Sequence, residues 1–232
     1  MDILHKPQLD SAEIHTLLQE LRPAVLNYSK DEFIRPGGSD RKMYVVLEGS
    51  VYLCTQSERD EMEITACFFK GGLFPGTLIT FYSEVDEGQM FRFALCKTKC
   101  RIAAVDMAAA AGYLFTPVCT GQKCSLLEFG YWFVSAGLAR HCHVLQQKSV
   151  RDKVLAYLNC EPEYRERGGI RLEIPYSDLS NYLQSDRSSL MKELSRMVAD
   201  GVIVRKGRWI YSKAGKPSLN ETDEKGGISL EV

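Results

Sequence analysis

The chain has 232 residues and a formal net charge of −1, with 29 Lys and Arg against 30 Asp and Glu. That length accommodates two small domains, each able to bury a core, and no run of about 18 apolar residues offers a membrane-spanning helix. The N-terminal segment carries acids early and lacks an apolar signal core, so a cytoplasmic protein is expected, and its eight cysteines should then be thiols and not a disulfide framework.

Taken in chain order, a helix is expected from Ser11 to Leu21. From Asn27 to Asp106 short β-rich runs alternate with glycine turns. Asp31 to Ile34 precedes Gly37-Gly38, and Met43 to Leu47 precedes Glu48-Gly49. Ser50 to Cys54 follows at once, Glu63 to Phe69 leads to Gly71-Gly72, and Phe91 to Leu95 leads through Lys97-Thr98-Lys99 to Arg101 to Val105. Evenly spaced strands with turn glycines predict an antiparallel barrel or jelly roll. A further helix is expected around Met107 to Leu114. Residues 1–117 are therefore assigned to a β-roll sensor domain with flanking helices, within an α+β fold class.

From Val118 to Gln147 there is no proline and the apolar period is helical. Leu127, Tyr131, Val134, Leu138, His141 and Leu145 recur by fours and threes, a heptad-like seam. Leu126, Phe129, Phe133 and Ala136 form a second. Two apolar faces on one long helix predict two partners, the roll and another subunit, so residues 118–147 are assigned to dimerisation. A helix packed wholly inside its own domain is the alternative.

Residues 148–213 are assigned to a winged helix-turn-helix domain, because Ile174 to Tyr211 reads as a strand, a short helix, a tight turn, a second helix and a basic hairpin. Leu179 and Leu183 share one face of the first helix. Gln184-Ser185-Asp186 breaks the pattern, with Ser185 or Asp186 able to cap the next helix. From Arg187 onward, Leu190, Leu194, Met197 and Val198 form the stripe expected to be buried. Arg187, Ser188, Lys192, Ser195 and Arg196 lie opposite. Gly201 ends the helix at the C′ position, and Val202 to Val204 and Trp209 to Tyr211 flank Lys206-Gly207 as a hairpin.

This arrangement points to double-stranded DNA. A helix fits the major groove, where Arg can fork onto guanine, and Arg187, Ser188 and Lys192 occupy the first two turns, which reach base edges. Ser189 and the wing residues Arg205, Lys206 and Arg208 suit phosphates. Between Tyr176 and Lys213 there are seven Lys or Arg against four Asp or Glu. Such a modest surplus attracts phosphate weakly, so tight binding needs a second copy. A dimer would set two recognition helices ~34 Å apart, the geometry that reads a palindrome. The tail from Ala214 to Val232 is acidic and rich in Gly and Ser, and is expected to be disordered.

A β-roll with GSVYL and GGLFPG, a long helix, then VRDKVLAYL and a helix-turn-helix resembles the Crp/Fnr family of bacterial transcription regulators, over roughly residues 25 to 213. The resemblance implies a cytoplasmic homodimer whose β-roll senses a signal and reorients the DNA-binding domains, with RNA polymerase as a further partner. Arg187 falls on the family's base-contacting arginine and Lys192 where a second basic residue often stands. Ser188 replaces a common glutamate, so the operator sequence cannot be borrowed, and Gln184 replaces the common turn glycine.

The sensor departs from the cyclic-nucleotide-binding members, which hold ribose and cyclic phosphate with Gly-Glu-Leu and Arg-Ser. Here the first run is Gly76-Thr77-Leu78, and Met90-Phe91 stands where Arg-Ser is expected, with Arg92 nearby. An apolar pair supplies no cation for a phosphate, which disfavours cyclic AMP or GMP. Phe74, Leu78, Met90, Phe91 and Tyr131 suit a small apolar or aromatic effector, and a pocket filled by its own side chains is the equal alternative.

No cysteine precedes Cys54 and no C-x-x-C occurs, so neither an iron–sulfur cluster nor a metal or haem site is expected. Cys96 and Cys100 bracket Lys97-Thr98-Lys99. In a tight hairpin they would oppose each other within reach of a reversible disulfide, which makes a thiol-based redox response an alternative, beside two small core residues. His141 and His143 do not face one metal. A cupin-like enzyme needs histidines on its strands, and Asn27 to Val105 has none. No catalytic residue is assigned. A winged domain that binds protein instead of DNA is the remaining rival.

Overall fold

The computed structural model describes residues 8–34, 41–56, 62–79, 91–161, 164 and 167–213. Gly37-Gly38, Met90 and the acidic tail lie outside them, as does the side chain of Phe91. Helix α1, Ser11–Leu21, has the expected bounds and starts at a capping box in which Asp10 accepts from Glu13 N–H while the Glu13 carboxylate accepts from Asp10 N–H.

The strands that follow are β1 (Ala24–Tyr28), β2 (Phe33–Ile34), β3 (Lys42–Glu48), β4 (Val51–Gln56), β5 (Met62–Phe68), β6 (Leu73–Pro75), β7 (Phe91–Cys96) and β8 (Cys100–Asp106). They form two four-stranded antiparallel sheets, ordered β1-β8-β3-β6 and β2-β7-β4-β5. β1 and β6 were not anticipated. The core between the sheets contains Val45, Val51, Leu53, Phe68, Leu73, Phe74, Ile102 and Val105. The second sheet is covered on its outer face as well. Tyr52, Cys54, Ile64, Phe93 and Leu95 belong to a second core shared with the C-terminal residues, which is why β4 is buried from Val51 through Thr55 without alternation.

Helix α2 is Met107–Gly112, and β9 (Leu114–Phe115) pairs with β10 (Cys124–Ser125). The long helix α3 is Leu126–Leu145 and not Val118–Gln147. Its start is set by a Ser125–Glu128 capping box, and the preceding residues are turns plus β10, so Cys119 and Cys124 are not helical. α3 lies on the roll through Leu126, Phe129 and Phe133. Gly130 permits the approach, because a Cβ there would meet Met43 Cε at 2.7 Å. Val134 and His141, expected on a subunit seam, are instead buried within the chain at 4% and 6% exposure. The roll and the C-terminal helices reach round α3 far enough to cover them.

The C-terminal part comprises α4 (Val150–Asn159), β11 (Gly169–Arg171), α5 (Tyr176–Tyr182), α6 (Arg187–Ala199), β12 (Ile203–Lys206) and β13 (Trp209–Ser212). β11 joins the expected hairpin as a third strand in the order β11-β13-β12. Among the described residues no helix is long and apolar enough to cross a membrane.

Candidate nucleic-acid interface

α5 and α6 end in the same way. After α5, Gln184 N–H donates to Asn181 O and Ser185 N–H to Ser180 O. After α6, Gly201 N–H donates to Val198 O and Val202 N–H to Met197 O. This double closure needs a left-handed residue at its bend. Gly201 supplies it at φ 67°, whereas Gln184 adopts φ 46° despite its side chain. The turn thereby swings the chain into α6 within three residues. Asp186 holds the N-cap position without a side-chain cap bond, and the Ser185 hydroxyl reaches back to Ser180 O at 3.5 Å, so neither residue caps α6 as expected.

α6 buries Leu190, Leu194 and Met197. Val198, expected among them, is 42% exposed, because it lies one residue beyond Met197 and hence about 100° round the helix. Arg187, Ser188, Ser189, Lys192, Ser195 and Arg196 form the exposed face. Arg151 of α4 fixes the helix, donating to Glu193 at 2.6 Å and also to Asp200. Glu193 in turn lies 3.6 Å from Arg196.

Of the wing cations only Lys206 is exposed. Arg205 and Arg208 are half-buried. The Arg205 guanidinium lies 5.6 Å from the centre of the Tyr176 ring, whose hydroxyl donates to Gly207 O at 2.9 Å. Trp209, 43% exposed and stacked on Tyr211, is an aromatic surface that the sequence reading passed over.

α5 packs on the roll. Asp178 accepts from the Tyr52 hydroxyl at 3.0 Å and pairs with Lys97 at 3.5 Å. Asn181 bonds both ways with β5, and Gln184 donates to Glu63 at 3.3 Å. The His141 ring stacks on Tyr182 at 4.1 Å, and its Nε2 lies 2.8 Å from Tyr182 O. Lys153 donates to Leu183 O at 2.9 Å. Neither Asp178 nor Asn181 was assigned a site role from sequence; each is an ordinary polar residue on a helix until its partner is known.

No protein-family model and no curated protein matches the chain. Solved structures do. A cyclic nucleotide-binding domain containing protein from Listeria monocytogenes EGD-e has a TM-score of 0.63 at 14% identity, covering 87% of this chain and 98% of its own. A mutant form of CooA from Carboxydothermus hydrogenoformans has a TM-score of 0.63 at 14% identity, covering 90% and 94%. A CRP/FNR-family transcriptional regulator from Thermus thermophilus has a TM-score of 0.50 at 22% identity, covering 82% and 93%. The chain has the fold of the Crp/Fnr transcription regulators.

Within this Crp/Fnr fold the residues singled out for an effector are unequally placed. Phe74 is fully buried, its ring 5.4 Å from that of Tyr44 and 4.7 Å from that of Phe68. Gly76 opens a short 3-10 turn, Gly76–Leu78. Thr77 comes within hydrogen-bond reach of Tyr131, hydroxyl to hydroxyl at 3.4 Å. Leu78 is half-buried, and Arg92 and Tyr131 are exposed. Along α3, Leu127, Leu138 and Leu145 remain partly exposed and Tyr131 is 44% exposed.

Proposed function

We propose that the chain is a homodimeric, sequence-specific transcription regulator of the Crp/Fnr type, built from a jelly-roll sensor, a dimerisation helix and a winged helix-turn-helix. The observation that carries this reading is α6. Its apolar stripe is buried, and Arg187, Ser188 and Lys192 stand free on the opposite face in its first two turns, at the end of a chain with this fold. α6 is the recognition helix. Arg187, Ser188 and Lys192 read base edges, and Ser189, Arg196 and Lys206 meet phosphates. Arg205 and Arg208 act from beside Tyr176 and the wing turn.

The second copy packs along α3. With Val134 and His141 buried in the protomer, the seam runs through Leu127, Tyr131, Ser135, Leu138, Cys142 and Leu145, at spacings of four, four, three, four and three that stay on one helix face. The pair reads a palindromic operator, and RNA polymerase is the partner through which binding acts on transcription. A small effector acts at the roll beside Thr77, Leu78, Arg92 and Tyr131. Cyclic nucleotides are disfavoured because Gly76-Thr77-Leu78 supplies no carboxylate for a ribose. An effector shifts the dimer only by binding one geometry more tightly than the other.

The test is selection of bound sequences from random duplex DNA with wild type, Arg187→Ala and Lys192→Ala. Enrichment of a palindrome by wild type, lost or relaxed in the variants, is expected. Equal enrichment by all three would remove α6 from the reading.

A further inference from the structure

The three-stranded wing sheet has two unlike faces. Ile170 of β11 and Ile210 of β13 stand opposite each other and are buried in the core shared with Leu190 and Leu194 of α6. Residues one step along each strand point the other way. On that outer face Arg171 of β11 and Lys206 of β12 both pair with Trp209 of the central strand, so cation, indole and cation form one row. In the next row Tyr211 lies between Gly169 and Val204. The Tyr211 ring covers Gly169, where a Cβ would collide with it. It stacks on Trp209 with 6.0 Å between ring centres and 10° between planes. Trp209 is thus braced from one side and stays 43% exposed.

Arg171 and Lys206 are exposed, and among the described residues neither has an ion pair. Beside Arg171 and Trp209 opens a cleft of about 480 Å³, which the exposed Arg167 also lines. Glu161 and Glu173 line it too, and each already has a partner within the chain.

We propose that this face binds single-stranded DNA. One unpaired base stacks on Trp209 and extends the Tyr211–Trp209 column, Arg171 and Lys206 meet the phosphates on either side, and Arg167 meets the next one in the cleft.

Every base has a π-face, so an aromatic platform beside cations holds a strand without reading its sequence. A duplex is a poor occupant, because its bases are stacked on one another and do not reach the indole. A free nucleotide would use the ring and one cation. Arg171 and Lys206 stand on the two strands that flank β13, about 10 Å apart, and a strand crossing the sheet uses both. The choice of DNA over RNA rests on reading α6 as DNA-binding; the stacking of a strand on Trp209 does not.

The experiment uses the full-length chain. It carries two tryptophans, so Trp132→Phe leaves Trp209 as the only indole. Its fluorescence is followed as a mixed-sequence DNA strand of about 12 nucleotides, its blunt duplex, the same strand as RNA, or mononucleotides are added. Saturable quenching by the DNA strand is expected, with far weaker effects of duplex and mononucleotides. Affinity should fall with salt at a log–log slope of about −2, for three phosphates at about −0.7 each. Arg171→Ala should reduce that slope by about 0.7; Lys206 is shared with the duplex contacts proposed for the wing, so Arg171 carries this arm. Anisotropy of a labelled strand should show Trp209→Ala binding about 5- to 150-fold more weakly, the loss of one stacked base. Trp209→Phe, which keeps a ring, should retain part of the affinity and separates stacking from any disturbance of the sheet.

Quenching as strong by duplex or mononucleotide, or by none of the four, overturns the platform. Tighter binding of RNA overturns the choice of DNA. A DNA strand seated on Trp209 of a chain that selects no palindrome leaves the platform standing and counts only against the reading of α6. A selected palindrome with Trp209 unquenched by the strand counts only against the platform.

Discussion

The side-chain amide of Asn181 takes the place of a neighbouring strand for Ile64. Ile64 N–H donates to Asn181 Oδ1 at 2.7 Å, and Asn181 Nδ2 donates to Met62 O at 2.7 Å. β5 is the edge of its sheet, where backbone donors and acceptors would otherwise face outward unpaired. One asparagine on α5 both finishes the roll and seats the helix that precedes the turn into α6.

Removing that amide should therefore be felt in both halves. Asn181→Ala leaves two part-buried backbone groups without partners and is expected to lower stability by about 1–3 kcal/mol. Urea unfolding should show an earlier midpoint at an unchanged slope, together with faster amide exchange at Ile64. A midpoint equal to wild type would show the contact to be dispensable.

The cations of the interface should divide by role. Arg187→Ala is expected to weaken the selected site by about 1–3 kcal/mol and to relax one position of it. Lys206→Ala should weaken all sequences alike and reduce the salt slope by about one. Binding isotherms on cognate and scrambled duplexes at several salt concentrations separate the two patterns.

His141 predicts a loss of stability in acid. Burial lowers its basicity, partly offset by bonds to the backbone of Tyr182 and Thr65 and by Glu63, while Lys153 adds to the lowering. The folded state therefore takes up this proton at lower pH than the unfolded chain. Stability from His141 is present above the unfolded value, about 6.5, and falls as pH drops towards the folded one. Unfolding compared at about pH 8 and about pH 5.5 should show a smaller acid loss in His141→Gln than in wild type. Parallel losses would dismiss His141 as the source.

Gln184→Gly is expected to raise stability by about 1 kcal/mol, because the left-handed conformation that Gln184 adopts at φ 46° strains a residue with a Cβ. Gly201→Ala should do the reverse by a similar amount. Thermal or urea unfolding of the two single variants checks the pair, and a stabilising Gly201→Ala would contradict the account.

Much of the local structure was legible because its causes are local. Helix α1 follows from its capping box and from Ile14 and Leu17 on one face. α6 follows from Leu190, Leu194 and Met197 at helical spacing and from Gly201 at its end. The exposed face with Arg187, Ser188 and Lys192 was readable for the same reason: a helix that buries one stripe presents the opposite one. The start of α3 was misread because absence of proline says less than the reciprocal Ser125–Glu128 bonds.

Contacts distant in sequence had no such signal. Apolar alternation along α3 placed Val134 and His141 on a seam, yet periodicity cannot say which surface covers a face, and here the chain's own Tyr182 stacks on His141. Three residues between Cys96 and Cys100 predicted a hairpin, and pairing with different sheets made it a corner. By itself, then, the sequence determined α1, the central strands of the two sheets, the helix-turn-helix with its hairpin and the polar face of α6, since capping, turn chemistry and periodicity act over a few residues. Only the tertiary structure decided that α5 seats on β5 through Asn181, that Asp178 meets Tyr52 and Lys97, and that Arg151 ties α4 to α6, because each of these depends on which surfaces exclude water together.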